Sequence, residues 1–187
     1  MTGPRRRRPA APKRHPRVQP DGAPHSASAG YVLRSHQPGD MGWVIQRHGA
    51  IYAREWGYSA EFEALVARSC ADFLNHFEPA GERCWIAERD GEIVGSVFVL
   101  RKSKTVAKLQ MLIVDPKARG LGTGGRPIDE CIRFARQAGY RTLTLSTHKQ
   151  QVAARRLYQH AGFQCVREKR GHDFGKDLVD ETWELRL

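Results

Sequence analysis

Apolar positions change period several times along the chain, and each change marks an element. Residues 31–36 read as a short strand closed by Gln37-Pro38-Gly39, a turn signal. Beyond it Met41, Val44, Ile45, His48, Ile51 and Tyr52 recur at three- and four-residue steps, which predicts an amphipathic helix capped by Asp40. Phe62, Leu65, Val66, Phe73 and Phe77 form a second stripe, with Ser59 as cap and Glu61 and Glu63 where the helix dipole favours negative charge. Two β-rich runs, 84–89 and 93–100, flank Asp90-Gly91, a strong hairpin signal. A third run, 107–114, stops at Asp115-Pro116, and a glycine-rich stretch leads into a helix through Ile128, Ile132, Phe134 and Ala135 that Gly139 closes. Leu143 and Leu145 mark a strand over 141–147, residues 152–161 a helix ended by Gly162, and 163–168 and 182–187 two closing strands. The order βαα, βββ, αβαββ predicts a mixed α+β sheet rather than a repeat or a doubly wound sheet.

Composition narrows this to one domain with an extension. Forty per cent apolar and 27% charged residues in 187 suit a single globular unit. Lysine and arginine number 31 against 20 acids, a formal +11, which at face value suggests nucleic acid, a phosphorylated cofactor or a membrane surface as partner. Residues 1–29, however, hold six of the ten prolines, seven basic residues and one acid, and no aromatic. Such a segment cannot offset its ordering entropy, so 1–29 is expected to be a disordered basic arm carrying +6, which leaves +5 for a folded domain over 30–187. The arm is expected to be a solvated extension or an over-long reading of the start, with nucleic-acid contact as the alternative. Neither a secretory signal nor a membrane span is visible, and Cys70, Cys84, Cys131 and Cys165 show no metal or disulfide spacing, which suggests buried or incidental thiols in a reducing cytoplasm. His36, His48, His76, His160 and His172 share no ligand spacing, so no metal is expected.

The chemistry concentrates where the run Leu109-Gln110-Met111-Leu112-Ile113-Val114 enters Asp115-Pro116-Lys117-Ala118-Arg119-Gly120-Leu121-Gly122-Thr123-Gly124-Gly125. Glycines let backbone N–H groups approach an anion, and with the positive end of the following helix they can cradle a pyrophosphate. No Gly-Lys-Ser/Thr follows, so this is not a P-loop, and the position in a mixed sheet argues against a Rossmann fingerprint.

With its surroundings the segment resembles the GNAT family of N-acetyltransferases. Arg119-Gly120-Leu121-Gly122-Thr123-Gly124 is similar to the family's Arg/Gln-x-x-Gly-x-Gly/Ala acyl-CoA signature, and Ala154-Arg155-Arg156-Leu157-Tyr158-Gln159-His160-Ala161-Gly162-Phe163 to its Ala-x-x-Leu-Tyr-x-x-x-Gly-Phe helix. The end of the chain, around residues 173–185, resembles the acetyltransferase half of bacterial MarR–GNAT fusions, without the winged-helix half. The resemblance implies a mostly antiparallel twisted sheet, splayed between its central parallel strands and covered by helices on both faces. It also implies acetyl transfer from acetyl-CoA to a primary amine of a small molecule or protein, by direct attack through a tetrahedral intermediate. The pantetheine arm would pair with backbone groups of Leu112, Ile113 and Val114, with Gln151 standing where the family often has Asn. The phosphates would rest on Arg119, Gly120, Leu121, Gly122, Thr123, Gly124 and Gly125, and Tyr158 would protonate the leaving thiolate.

The departures leave two questions. Ser146 stands where some protein N-terminal acetyltransferases carry a glutamate, so the base passes to water or to Glu55, Glu78 or Glu82. Pro127 falls in the cofactor helix and is expected to move its start. Trp43, Tyr52, Trp56 and Tyr58 are candidate aromatic surfaces for the amine, or simply core. A non-catalytic acyl-CoA-binding or partner-binding module, and a homodimer, remain as alternatives.

Overall fold

The computed structural model describes residues 30–120 and 125–187; the arm over 1–29 and the predicted cofactor residues Leu121, Gly122, Thr123 and Gly124 lie outside the described residues. Seven described strands make one sheet: β1 (Val32–Ser35), β2 (Arg83–Arg89), β3 (Glu92–Arg101), β4 (Val106–Val114), β5 (Thr142–His148), β6 (Gln164–Asp173) and β7 (Lys176–Arg186). Their order is β1-β2-β3-β4-β5-β7-β6. All neighbours are antiparallel except β4 and β5, which run parallel at the centre. This is the expected mixed sheet.

Alternation along the central strands sends side chains into two layers. Phe98 and Ile86 pack with Met41 and Val44 of α1 (Asp40–Trp56) and Val66 and Phe73 of α2 (Ala60–His76). Val97, Val99, Leu143 and Leu145 point the other way, onto Ile128 and Ile132 of α3 (Gly125–Gln137) and Tyr158 of α4 (Val152–His160). Helices therefore cover both faces, and none of those described is long and apolar enough to cross a membrane.

Local chemistry explains most boundaries. Asp90 and Gly91 both adopt positive φ, the pair of left-handed residues that a tight two-residue hairpin needs. Ser59 caps α2 by accepting from the Glu61 N–H. Asp40 does not cap α1 as expected: it is the first helical residue, and its carboxylate instead accepts from the Gln37 N–H at 2.6 Å and pairs with Arg34 at 2.7 Å, tying β1 to the helix. Pro127 sits inside the first turn of α3, where a missing N–H costs nothing, and the described helix already runs from Gly125. Cys70, Cys84 and Cys131 are buried, but Cys165 is exposed. The closing strands are also much longer than predicted, because Phe174-Gly175 makes a second tight turn with positive φ at both residues. Charge at half the positions of β6, an exposed edge strand, hides its period.

Candidate active site

The parallel strands part company halfway along. β4 and β5 pair only from Val106–Thr142 to Leu109–Leu145, after which residues 110–114 have no partner on the β5 side. A bulge in β4 causes the divergence. Between the pairs Phe98–Gln110 and Ser96–Ile113 the chain of β4 has one residue more than β3, and Met111 takes φ 49° to absorb it. The Ser96 hydroxyl donates to the Met111 carbonyl at 3.0 Å and holds the kink. Gly95 allows close approach from the other side: a Cβ there would lie 2.8 Å from the Ile113 carbonyl oxygen.

The split opens into a cleft of about 1160 Å³ that reaches both layers. Leu112, Ile113 and Val114 line it from β4, and Ser146, Thr147 and His148 from β5. Arg119, Gly120 and Gly125, the described flanks of the glycine loop, lie on its lip, with Gly120 at φ +80°. Arg119 is tied there by a 2.9 Å ion pair with Glu55. Gln151, just before α4, is buried in the wall, where its carbonyl oxygen accepts from the Thr147 hydroxyl at 2.7 Å and its side chain also bonds Tyr52. Tyr158 also lines the cleft, 6% exposed. Burial raises its phenol above the ordinary tyrosine value, so it holds its proton at neutral pH. The residues predicted for the cofactor and for proton donation thus meet, so far as they are described.

The opposite wall is aromatic and comes from three distant segments. Tyr52 and Phe62 stack with centroids 4.3 Å apart, and Phe174, from the β6–β7 turn, meets Phe62 at 5.1 Å. The turn is docked by a hydrogen bond from the Ser59 N–H to the Phe174 carbonyl and one from the Lys176 ammonium to the Trp56 carbonyl. Of the four predicted rings, Tyr52 and Trp56 face the cleft, Tyr58 is buried behind Phe174 and His148, and Trp43 packs in the α1–α2 layer. His48 lies in the same wall; its Nδ1 meets the Val44 carbonyl, and burial pulls its imidazole down to about 4.

Of the proposed bases, only Glu55 reaches the cleft, where Arg119 neutralises it. Glu78 and Glu82 lie at the closed end of the sheet, bound to Arg101 and its N–H, and are excluded by position. Sequence reasoning missed His148 and Asp180. The His148 Nε2 lies 2.9 Å from Asp180 and its Nδ1 2.9 Å from the Tyr58 hydroxyl. A carboxylate only accepts, so Nε2 carries the proton and Nδ1 accepts from Tyr58. Burial lowers this imidazole below its ordinary value, against the pull of Asp180 and Asp173. The pairing rests on β5 and β7 lying side by side, which the short predicted strand over 182–187 left out.

Comparison with known proteins agrees with this geometry. Residues 45–163 match the Acetyltransferase (GNAT) family. The chain is 33% identical over 156 residues to a mycothiol acetyltransferase of Cellulomonas flavigena, covering 77% of this chain and 43% of that protein. It is 33% identical over 109 residues to N-acetyltransferase family 8 member 2 of Rattus norvegicus, covering 56% and 46%. The chain spans about half the length of the curated relatives it matches. Among solved structures, a GNAT acetyltransferase from Streptococcus pneumoniae superposes with TM-score 0.69 at 18% identity, covering 84% of this chain and 99% of that one. Spermidine N-acetyltransferase from Vibrio cholerae, in complex with CoA and spermine, superposes with TM-score 0.67 at 16% identity, covering 85% and 96%.

Proposed function

The chain belongs to the acetyltransferase (GNAT) family, and on that premise we propose that it is an N-acetyltransferase that moves the acetyl group of acetyl-CoA to a primary amine. The observation that carries this reading is the split between β4 and β5, which leaves residues 110–114 without a strand partner on the β5 side, inside a cleft that Tyr158 also lines. Unpaired strand backbone is costly unless something else pairs with it, and a pantetheine arm has amides at a similar spacing. An N–H among Leu112, Ile113 and Val114 would polarise the thioester carbonyl and hold the oxyanion as the amine adds. Tyr158 would give its proton to the departing thiolate and recover one from the positively charged nitrogen of the tetrahedral adduct as it becomes the amide. The Gln151 NH₂ would bond the arm. Leu121, Gly122, Thr123 and Gly124, between the cleft-lining flanks Gly120 and Gly125, would complete the phosphate cradle.

On the aromatic side the attacking nitrogen must first lose a proton. Both ring nitrogens of His148 are engaged, so the acceptor would be the Asp180 oxygen that His148 leaves free, with solvent as the final sink. The named relatives act on a spermidine and, by name, on mycothiol chemistry, which supports an amine without selecting one.

Thiol release from acetyl-CoA across a panel of amines tests the proposal. Turnover with at least one amine, lost in large part by Tyr158→Phe, is expected. Tight CoA binding with no turnover on any amine would instead favour a binding module.

A further inference from the structure

Several cationic side chains line the cleft, and they differ in what surrounds them. Arg119 pairs with Glu55 and His148 with Asp180. Arg156 is exposed on α4. Lys108 is different: it lines the cleft half-buried, yet no hydrogen bond or carboxylate partner meets it among the described residues. Burial and the neighbouring Lys102 pull its ammonium below the ordinary lysine value. A half-buried ammonium without a partner loses solvation and regains nothing from the fold, which is the condition a bound anion would relieve.

The position of Lys108 says which anion. Its sheet neighbours are Leu100 on β3 and Thr144 on β5, and Leu100 packs into the α1–α2 layer, so Lys108 faces that layer too. It also stands one residue before the last paired residue of β4, at the closed base of the split. The glycine-loop flanks lie past the other end of β4, after Val114, and α3 and α4 cover the other face. Phosphates held there lie on the wrong side and at the wrong end to reach Lys108. The α1–α2 side, with its aromatic wall, is the side that the acetyltransferase reading gives to the acceptor.

We infer that Lys108 binds a carboxylate carried by the acceptor, so that the preferred substrate is an amine that also bears an anionic group, an amino-acid-like molecule rather than a simple alkylamine. This rests on the acetyltransferase reading above. The amine would lie against the β4 bulge, its carboxylate toward the base of the cleft, and the aromatic wall of Tyr52, Phe62 and Phe174 along its hydrocarbon part.

The experiment compares matched acceptors, phenylalanine against phenethylamine and ornithine against putrescine, in kcat/KM. The wild type should favour the carboxylate-bearing member by about ten- to a hundredfold, the worth of a charge-assisted hydrogen bond. Lys108→Met should remove the preference through KM, Lys108→Arg should keep most of it, and Lys104→Met, at an exposed lysine in the β3–β4 turn, should leave it intact. A second arm does not depend on turnover: glutarate should raise the melting temperature of the wild type and not that of Lys108→Met. Equal use of both members, a preference that survives Lys108→Met, or mass-spectrometric detection of an acetyl group on Lys108 itself would each overturn the inference. Stabilisation by glutarate that depends on Lys108, with no amine turned over, would uphold the anion site and reject acetyl transfer instead.

Discussion

The two sides of the cleft are built on different plans. The side toward α3 and α4 is local in sequence: Arg119, Gly120 and Gly125 come from one loop, and Gln151 and Tyr158 from one turn and the helix it opens. The side toward α1 and α2 is assembled from pieces far apart: Tyr52 from α1, Phe62 from α2, His148 from β5, Phe174 and Asp180 from the closing hairpin. A cofactor of fixed shape can be held by a short, contiguous device. An acceptor pocket gathered from several elements can change one wall without disturbing the other.

Substitutions on the two sides should therefore separate. The largest effect is expected from Tyr158→Phe, which removes the proton donor while keeping the packing against Phe163: kcat should fall by about 10²- to 10³-fold in steady-state assays, with CoA affinity unchanged in calorimetry. Loss of CoA binding together with kcat would mean that Tyr158 serves the fold instead.

Next comes acid. His48 is neutral in the fold, with its value lowered to about 4 from an ordinary 6.5. Protonation favours the unfolded chain, so the stability is whole above pH 6.5 and declines as pH falls toward 4, by roughly 3 kcal/mol. Denaturant midpoints across that range should show the loss, and His48→Leu should flatten it. An unchanged slope in the variant would place the acid sensitivity elsewhere.

Gly95→Val should act on the split itself, since its Cβ would press on the Ile113 carbonyl. CoA affinity is expected to weaken about tenfold, measurable by calorimetry. The smallest effect should come from Phe174→Ala. Shortening the docked turn should raise KM for the amine severalfold and leave KM for acetyl-CoA alone; a matching rise in both would dissolve the distinction between the sides.

The same contrast explains what could be read in the sequence. The element order, the Asp90-Gly91 turn, the Ser59 cap and the apolar faces of α1 and α3 follow from local periodicity, and the structure has them all. Arg119, Gln151 and Tyr158 were legible because one short stretch holds each motif. Phe174 and the His148–Asp180 pair were not, because they depend on the pairing of β5 with β7 and on a hairpin whose exposed strand β6 alternates nothing. Asp40 misled for a related reason: its partner Arg34 lies on a neighbouring element, and that contact outcompetes the cap. Glu78 and Glu82 were acids in a plausible helical region, but only topology shows that they sit at the closed end of the sheet.

The most direct test is the electron density of the protein crystallised with CoA. The account predicts the pantetheine arm between β4 and β5, bonded to backbone groups of Leu112, Ile113 or Val114 and to the Gln151 amide, with its sulfur facing Tyr158. An arm lying outside the split, with those backbone groups unbound and Tyr158 remote from the sulfur, would contradict it.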